Sequence, residues 1–270
     1  MNARFEAITL DFGNTLVPFS AGSMADVVRL TAERSAGLVG STADEFAHVW
    51  GEERLRQFAE DVPVGREADM DIRVTRVLAR LRGKLMPPTG EHWDDAAVAG
   101  YSEPCEVAAI LDTYANAFVG STPVPLGIGP MLERMSGSYP LAILSNWPLA
   151  LAIDRFVENA GWRRHLSAVV VSQRVGVIKP RPEIFERAAA ELGVVSGPGI
   201  LHVGDDLGAD VLGAQGVGWA TAWVRYKPED SPLPAGPPAR GAKPDLTIDS
   251  ILGLEDALEG PGYASGSQLR

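Results

Sequence analysis

At 270 residues and 46% apolar content, the chain can build one large domain or two smaller ones around a real core. Its 24 basic and 35 acidic residues leave a formal charge of −11, which argues against binding to nucleic acid or to an anionic membrane surface and means that an anionic substrate must meet a local positive site. No apolar run approaches the ~18 residues of a membrane span, and the N-terminal stretch lacks a basic start followed by an apolar core, so neither a span nor a secretory signal is expected.

Phe5 to Leu10 is a short apolar run that reads as a buried strand, and it ends on Asp11. Gly13-Asn14 reads as a tight turn, because both residues tolerate left-handed backbone angles. In open α/β sheets chemistry collects beyond the carboxyl ends of the strands, where Asp11 would sit, although an acid there can also simply start a turn. After Leu16 the spacing turns helical. Ser23 is placed to cap a helix through Val27, Leu30 and Arg34. Thr42 begins a second, with Phe46, Trp50 and Phe58 on one side. Val74, Val77, Leu78, Leu81 and Leu85 fall on one helical face, which Pro87-Pro88 ends. Val107, Ile110, Leu111, Tyr114 and Phe118 repeat that spacing. Cys105 lies in the same pattern and reads as a small core residue; as the single cysteine it allows no internal disulfide and fits a reducing, cytoplasmic setting. Residues 17–121 therefore read as a helical bundle inserted between the first and second strands.

From Thr122 strands and helices alternate. Met131-Leu132 lie in a short helix. Leu141 to Leu144 is a strand ending at Ser145-Asn146, and Leu149 to Asn159 is helical. Ala168 to Val171 is a strand, followed by a loop to Lys179-Pro180 and a helix from Pro182 to Leu192. Ile200 to Val203 is a strand ending at Gly204-Asp205-Asp206; a helix from Ala209 to Gln215 stops at Gly216, and Trp219 to Val224 is the fifth strand. This alternation implies a parallel sheet with helices on both faces. Pro228 to Pro244 reads as a surface loop, Leu246 to Ile248 as an edge strand, Ile251 to Leu258 as a last helix, and residues 259–270 as a flexible tail.

Four strand ends thus carry polar residues: Asp11, then Ser145, then Lys179 from the loop after the third strand, then Asp205-Asp206 with Asp210. Together they describe a site of carboxylates, a hydroxyl and one ammonium. The null alternatives are ordinary ones: Lys179 as a solvated loop residue, Ser145 and Asp206 as helix caps, and His202 as a packed core histidine. Trp147 can face either the site or the helical block.

In this order the segments resemble the motifs of the haloacid dehalogenase superfamily of aspartate-nucleophile hydrolases. Asp11-Phe12-Gly13-Asn14-Thr15 is similar to its first motif, Ser145-Asn146 to its second, Lys179-Pro180-Arg181-Pro182-Glu183-Ile184-Phe185 to its third, and Gly204-Asp205-Asp206-Leu207-Gly208-Ala209-Asp210 to its fourth. The resemblance implies an α/β, Rossmann-like parallel sheet of order 3-2-1-4-5, with a core of residues 1–16 and 122–258 and a helical cap of residues 17–121. It implies Asp11 as nucleophile and Lys179 as the residue that offsets its charge. Asp11, the Gly13 carbonyl and Asp205 would hold Mg²⁺; Thr15, Ser145, Asn146 and Lys179 would bind phosphate; Asp206 and Asp210 would stand behind the metal. The implied activity is hydrolysis of a small phosphorylated substrate through an aspartyl-phosphate.

One residue departs from that pattern. The family's phosphatases place a second aspartate two residues after the nucleophile to protonate the leaving oxygen, and this chain has Gly13. The carbonyl is kept and the proton donor is lost, an effect worth about 10²- to 10⁴-fold in general acid–base catalysis. A phosphatase working without its usual acid, a silent relative that binds a ligand or partner, a dehalogenase, and a phosphonate hydrolase using Lys84 are the readings this leaves open. A receiver domain fits poorly, because its acidic pair comes first and its lysine last. The helical block carries no recognisable motif for a substrate; Arg54, Arg56, Arg66, Arg73 and Arg76 are its candidate anion contacts. Oligomeric state is not legible.

Overall fold

The computed structural model of the chain describes residues 5–88, 91 and 93–259. Strands β1 (Ala7–Leu10), β2 (Leu141–Ser145), β3 (Ala168–Val171), β4 (Ile200–Gly204), β5 (Ala220–Val224) and β6 (Leu246–Ile248) form one sheet in the order β3-β2-β1-β4-β5-β6. Every neighbouring pair is parallel. β1, β2 and β4 are buried along their whole length, which is why they read as unbroken apolar runs. The order reverses at β1, so Asp11, the next residue, stands at the topological switch point of the sheet.

Between β1 and β2 the chain is helical: α1 (Ala21–Ser35), α2 (Ala43–Asp61), α3 (Met70–Leu81), α4 (Asp95–Ala99), α5 (Pro104–Ser121) and α6 (Ile128–Ser136). Thr42 caps α2 as expected. α1 is capped by Ser20 rather than Ser23: Ser20 has the extended backbone a cap needs, and its hydroxyl accepts the Ser23 N–H at 3.2 Å. α3 stops at Leu81, not at Pro87. Gly83 turns the chain away with φ of 91°, leaving Leu85 exposed instead of on the buried stripe. Cys105 is exposed, not in the core; it lies in the first turn of α5, outside the buried face of Ile110, Leu111, Tyr114 and Phe118.

After β2 come α7 (Ala150–Asn159), α8 (Ser172–Val175) and α9 (Pro182–Leu192). The helix expected over Ala209 to Gln215 is instead a wide π-type turn, Leu207–Leu212, followed by α10 (Gly213–Gly216). Such turns occur preferentially at functional sites, and this one carries Asp210. The last expected helix is a 3₁₀ turn, Ile251–Gly253, and α11 (Leu254–Glu259). The flexible tail expected from residue 259 falls, beyond that residue, outside the described residues. No helix among the described residues is long and apolar enough to cross a membrane.

The helical block joins the sheet through aromatic packing. α5 packs on α1 and on α7. Where they meet, Phe12 lies 5.3 Å from Phe156, and Phe19 lies 5.7 Å from Phe118 and 5.1 Å from Trp147, ring centre to ring centre. Each such pair contributes about 0.5–1.5 kcal/mol beyond its buried area. Phe12 is fully buried in this cluster, and that fixes the direction of its neighbour Asp11.

The segment between β5 and β6 overturns one expectation. Residues 228–244 are irregular, as their Pro and Gly content suggests, but their first part is not a free surface loop. The Ala21 N–H donates to the Asp230 carbonyl at 3.1 Å, Asn14 and Ser231 bond side chain to side chain at 3.0 Å, and the Gly236 N–H donates to Asp206 at 2.7 Å. The segment is a strap laid across the carboxyl ends of the strands.

Candidate active site

Lys179 is buried at 2% exposure, and its ammonium donates to three oxygens: Asp11 Oδ1 at 2.7 Å, Asp210 Oδ1 at 2.7 Å and the Leu144 carbonyl at 2.8 Å. All three donors of the group are used, so its position is over-determined. Its loop is held by Asn146, whose amide accepts the Lys179 N–H at 2.7 Å and donates to the Lys179 carbonyl at 3.1 Å. The Asn146 side chain places the lysine, while the resemblance implies its backbone N–H at the phosphate.

Asp11, Asp205 and Asp210 each offer a carboxylate oxygen within 4.8 Å of the others. Burial raises Asp11 to about 6 against the pull of Lys179, and burial together with the charges of Asp11 and Asp210 raises half-buried Asp205 to about 8. Burial also disfavours the Asp210 charge, but Lys179 and His202 outweigh it and hold that carboxyl below the ordinary range. Lys179, which burial would neutralise, is kept charged by the two aspartates. Asp210 has no oxygen left over: Oδ1 takes Lys179 and His202, and Oδ2 accepts the Asp206 N–H at 2.9 Å. One ammonium faces three carboxylates, and among the described residues Asp205 has no cation in contact with it.

The remaining expected residues sort as follows. Thr15 is buried, and its hydroxyl donates to Asp205 at 3.4 Å. Ser145 is buried at the end of β2, and its Oγ has no hydrogen-bond partner among the described residues, leaving an unspent donor there. Asp206 caps the π-type turn, accepting from the Gly208 and Ala209 N–H groups with one oxygen and from Gly236 with the other. Trp147 faces both ways, sitting in the aromatic cluster and lining the cavity above Asp11. His202 is a packed core histidine, as expected, and it also supports the site. It is fully buried between Thr9 (2.8 Å) and Asp210 (3.2 Å), with burial lowering its pKa, so a neutral ring with its proton on Nε2 bonds Asp210 from behind. A histidine two residues before the acidic motif on a predicted strand was the only available signal.

Above Asp11 lies a cavity of about 660 Å³. Its floor is Asp11, Lys179 and Asp205, its roof is α1 and α2, and its side wall is the strap from Pro232 to Gly236. Gly13 does not use its freedom of φ; within the turn only Asn14 is left-handed, at 58°. What Gly13 supplies is space: a Cβ there would lie 2.7 Å from Leu233 Cδ1. That atom is the end of a flexible side chain, which would have to turn away to admit a larger residue at position 13.

The haloacid dehalogenase-like hydrolase family model matches residues 5–218. The chain belongs to that family. It is a hydrolase with the family's Rossmann-like α/β fold, and relatives in the family are phosphatases. It is 32% identical over 154 residues to a pyrimidine 5'-nucleotidase of Escherichia coli, covering 57% of this chain but only 64% of that protein. It is 26% identical over 225 residues to a glyceraldehyde 3-phosphate phosphatase of Methanopyrus kandleri, covering 82% and 84% of the two chains. Among solved structures, a 2-haloacid dehalogenase from Pseudomonas syringae superposes with a TM-score of 0.64 at 18% identity, covering 94% of this chain and 98% of the other. At that identity the likeness speaks for the fold alone.

Proposed function

We propose that this protein is a Mg²⁺-dependent phosphatase of small phosphorylated metabolites, with Asp11 as nucleophile. The observation that carries this reading is the Asp11 carboxylate held at 2.7 Å by a buried ammonium, beside a second carboxylate, on the floor of a half-open cavity. The donor set fits a hard divalent cation: three carboxylates lie together, one ammonium touches only two of them, and Asp11 and Asp205 are raised to about 6 and about 8. Asp11, Asp205 and the Gly13 carbonyl would hold the ion. When bound, Mg²⁺ supplies screening between the anionic nucleophile and the anionic phosphoryl group.

The chain's own residues account for the rest. An Asp11 oxygen attacks phosphorus, the ester P–O bond breaks, and the alkoxide departs, leaving an aspartyl-phosphate that water then hydrolyses. Lys179 stays charged throughout and offsets charge on Asp11 and on the phosphoryl oxygens, while Ser145 has a hydroxyl free to donate to one of those oxygens. The helices of residues 17–121 act as the cap that encloses the substrate, with hinges at Val17-Pro18 and Ser121-Thr122-Pro123. A halide leaves without needing either a proton or an acidic cluster, so the crowding of Asp11, Asp205 and Asp210 favours phosphate over haloacid. The test is hydrolysis of 4-nitrophenyl phosphate with and without EDTA. Chelation should lower the rate by about 10²-fold or more, and Mg²⁺ should restore it. EDTA-resistant hydrolysis, or turnover of haloacids alone, would overturn the assignment.

The missing acid gives a second test. Gly13→Asp alone is expected to give part of the gain, because Leu233 must turn away to admit its Cβ. Gly13→Asp combined with Leu233→Ala should speed hydrolysis of alkyl phosphates by up to about 10²-fold, with little change for nitrophenyl phosphate, whose leaving group needs no proton. Equal gains from the single and double variants would mean that Leu233 does not govern that position.

A further inference from the structure

The structure separates the five arginines of the helical block. Arg56 pairs with Glu60, Arg66 with Asp61, and Arg76 with both Glu60 and Asp95. Arg54 and Arg73 form no ion pair among the described residues, and both line the cavity above Asp11.

Each is held by contacts that leave donors free. Arg73 is 2% exposed; Nε donates to Gln57 at 2.9 Å and Nη2 to the Ala68 carbonyl at 3.3 Å, while Nη1 has only the Met70 sulfur at 3.5 Å, a weak acceptor. Arg54 lies 4.6 Å over the Phe58 ring and donates once, from Nη2 to the Pro232 carbonyl at 3.3 Å. The Phe58 ring also lies 5.7 Å from the Arg73 guanidinium. Aromatic faces orient guanidiniums while leaving their N–H edges available. The two cations are also unhappy as they stand: burial brings Arg73 down to about 10, and Arg54 adds to that by repulsion. Glu67, whose charge favours the Arg73 cation, is itself raised to about 7 by burial and is occupied by Ser172 and the Ala68 N–H. Two desolvated guanidiniums of like charge facing one cavity are costly unless an anion completes them.

We propose that Arg54 and Arg73 bind a second anionic group of the substrate, a carboxylate or a second phosphate, at the end remote from the phosphoryl group attacked by Asp11. The inference rests on the phosphatase reading and narrows its substrate class to compounds with an anion at each end. It also gives the strap a part in recognition, since Pro232 holds the Arg54 fork.

The experiment compares three monoesters of similar length: ethylene glycol phosphate, phosphoglycolate and ethylene glycol bisphosphate. The wild type should favour one or both of the anion-ended compounds by about tenfold or more in kcat/KM, and the better of the two identifies the second group. In Arg54→Gln that preference should fall by about 10- to 100-fold, mainly through KM, as expected for losing a charge-assisted fork. Arg73→Lys keeps the charge but loses the planar fork, and should lose part of the preference. Calorimetric titration of phosphoglycolate and of ethylene glycol phosphate into the Asp11→Asn protein reads the same subsite without turnover. Equal kcat/KM for all three esters, or an undiminished preference in a folded Arg54→Gln, overturns the anion subsite. Failure to hydrolyse any phosphate ester overturns the phosphatase reading instead, and the titration then decides the subsite alone: tighter binding of phosphoglycolate supports it, equal binding ends it.

Discussion

Asp11→Asn is expected to lower turnover of any phosphate ester by roughly 10³-fold or more, the scale seen when a catalytic nucleophile is removed. An amide is nearly the same shape, so Lys179 can keep its hydrogen bond to the remaining Oδ1. It cannot attack phosphorus. The substitution also removes one of three crowded carboxylates, of which Asp11 is already raised to about 6 by burial. Losing its charge weakens the attraction to Lys179 but relieves repulsion with Asp205 and Asp210, so the fold should persist, with circular dichroism and melting close to wild type. Retention of more than a few per cent of the rate would show that Asp11 is not the nucleophile.

Lys179→Met should damage both catalysis and stability. The ammonium compensates Asp11 and Asp210, both buried, and also satisfies the Leu144 carbonyl. Removing one partner of a buried pair leaves the other charge uncompensated, a loss of about 3–5 kcal/mol at neutral pH. The pH dependence follows from the directions of the shifts. Lys179 is raised, so its contribution is complete below the unfolded value and is lost only as pH climbs through its folded value. Asp210 is depressed, so its contribution is present above the unfolded carboxylate value and is lost as pH falls through its folded one. Without the lysine both carboxyls shift upward and can escape the penalty by taking up protons. The gap between wild type and Lys179→Met in urea unfolding should therefore shrink from pH 7.5 to pH 5. A gap that widens on acidification would mean that uncompensated carboxylates are not what destabilises the variant.

The strands and the four polar strand ends were legible in the sequence because their causes are local. β1, β2 and β4 are buried on both faces, which writes an unbroken apolar run, and each ends where a polar residue must meet solvent or substrate. The parallel sheet followed from β-α alternation, and its order from the family resemblance. Position 13 was legible as a departure, but its reason was not. The turn does not need a left-handed glycine there, and the side chain that comes nearest, Leu233, lies 220 positions away and reaches Gly13 only when the strap folds back. The same limit applies to Asn14 and Ser231, 217 positions apart, and to His202, bonded to Thr9 across 193. Helix ends were misjudged where a spacing pattern outran its turn, as at Leu85, since periodicity does not register that Gly83 has already redirected the chain.

What the sequence by itself determined is the α/β core and the set of reactive side chains on one rim, because hydrophobic period and turn chemistry act over a few residues. Which of those side chains remain free was decided only by tertiary structure. Asn146 and Asp206 are consumed by backbone N–H groups, Arg56, Arg66 and Arg76 by carboxylates, and Ser145, Arg54 and Arg73 are left with donors to spare. A side chain's availability depends on every partner that folding brings within hydrogen-bond reach, and spacing along the chain carries no record of that.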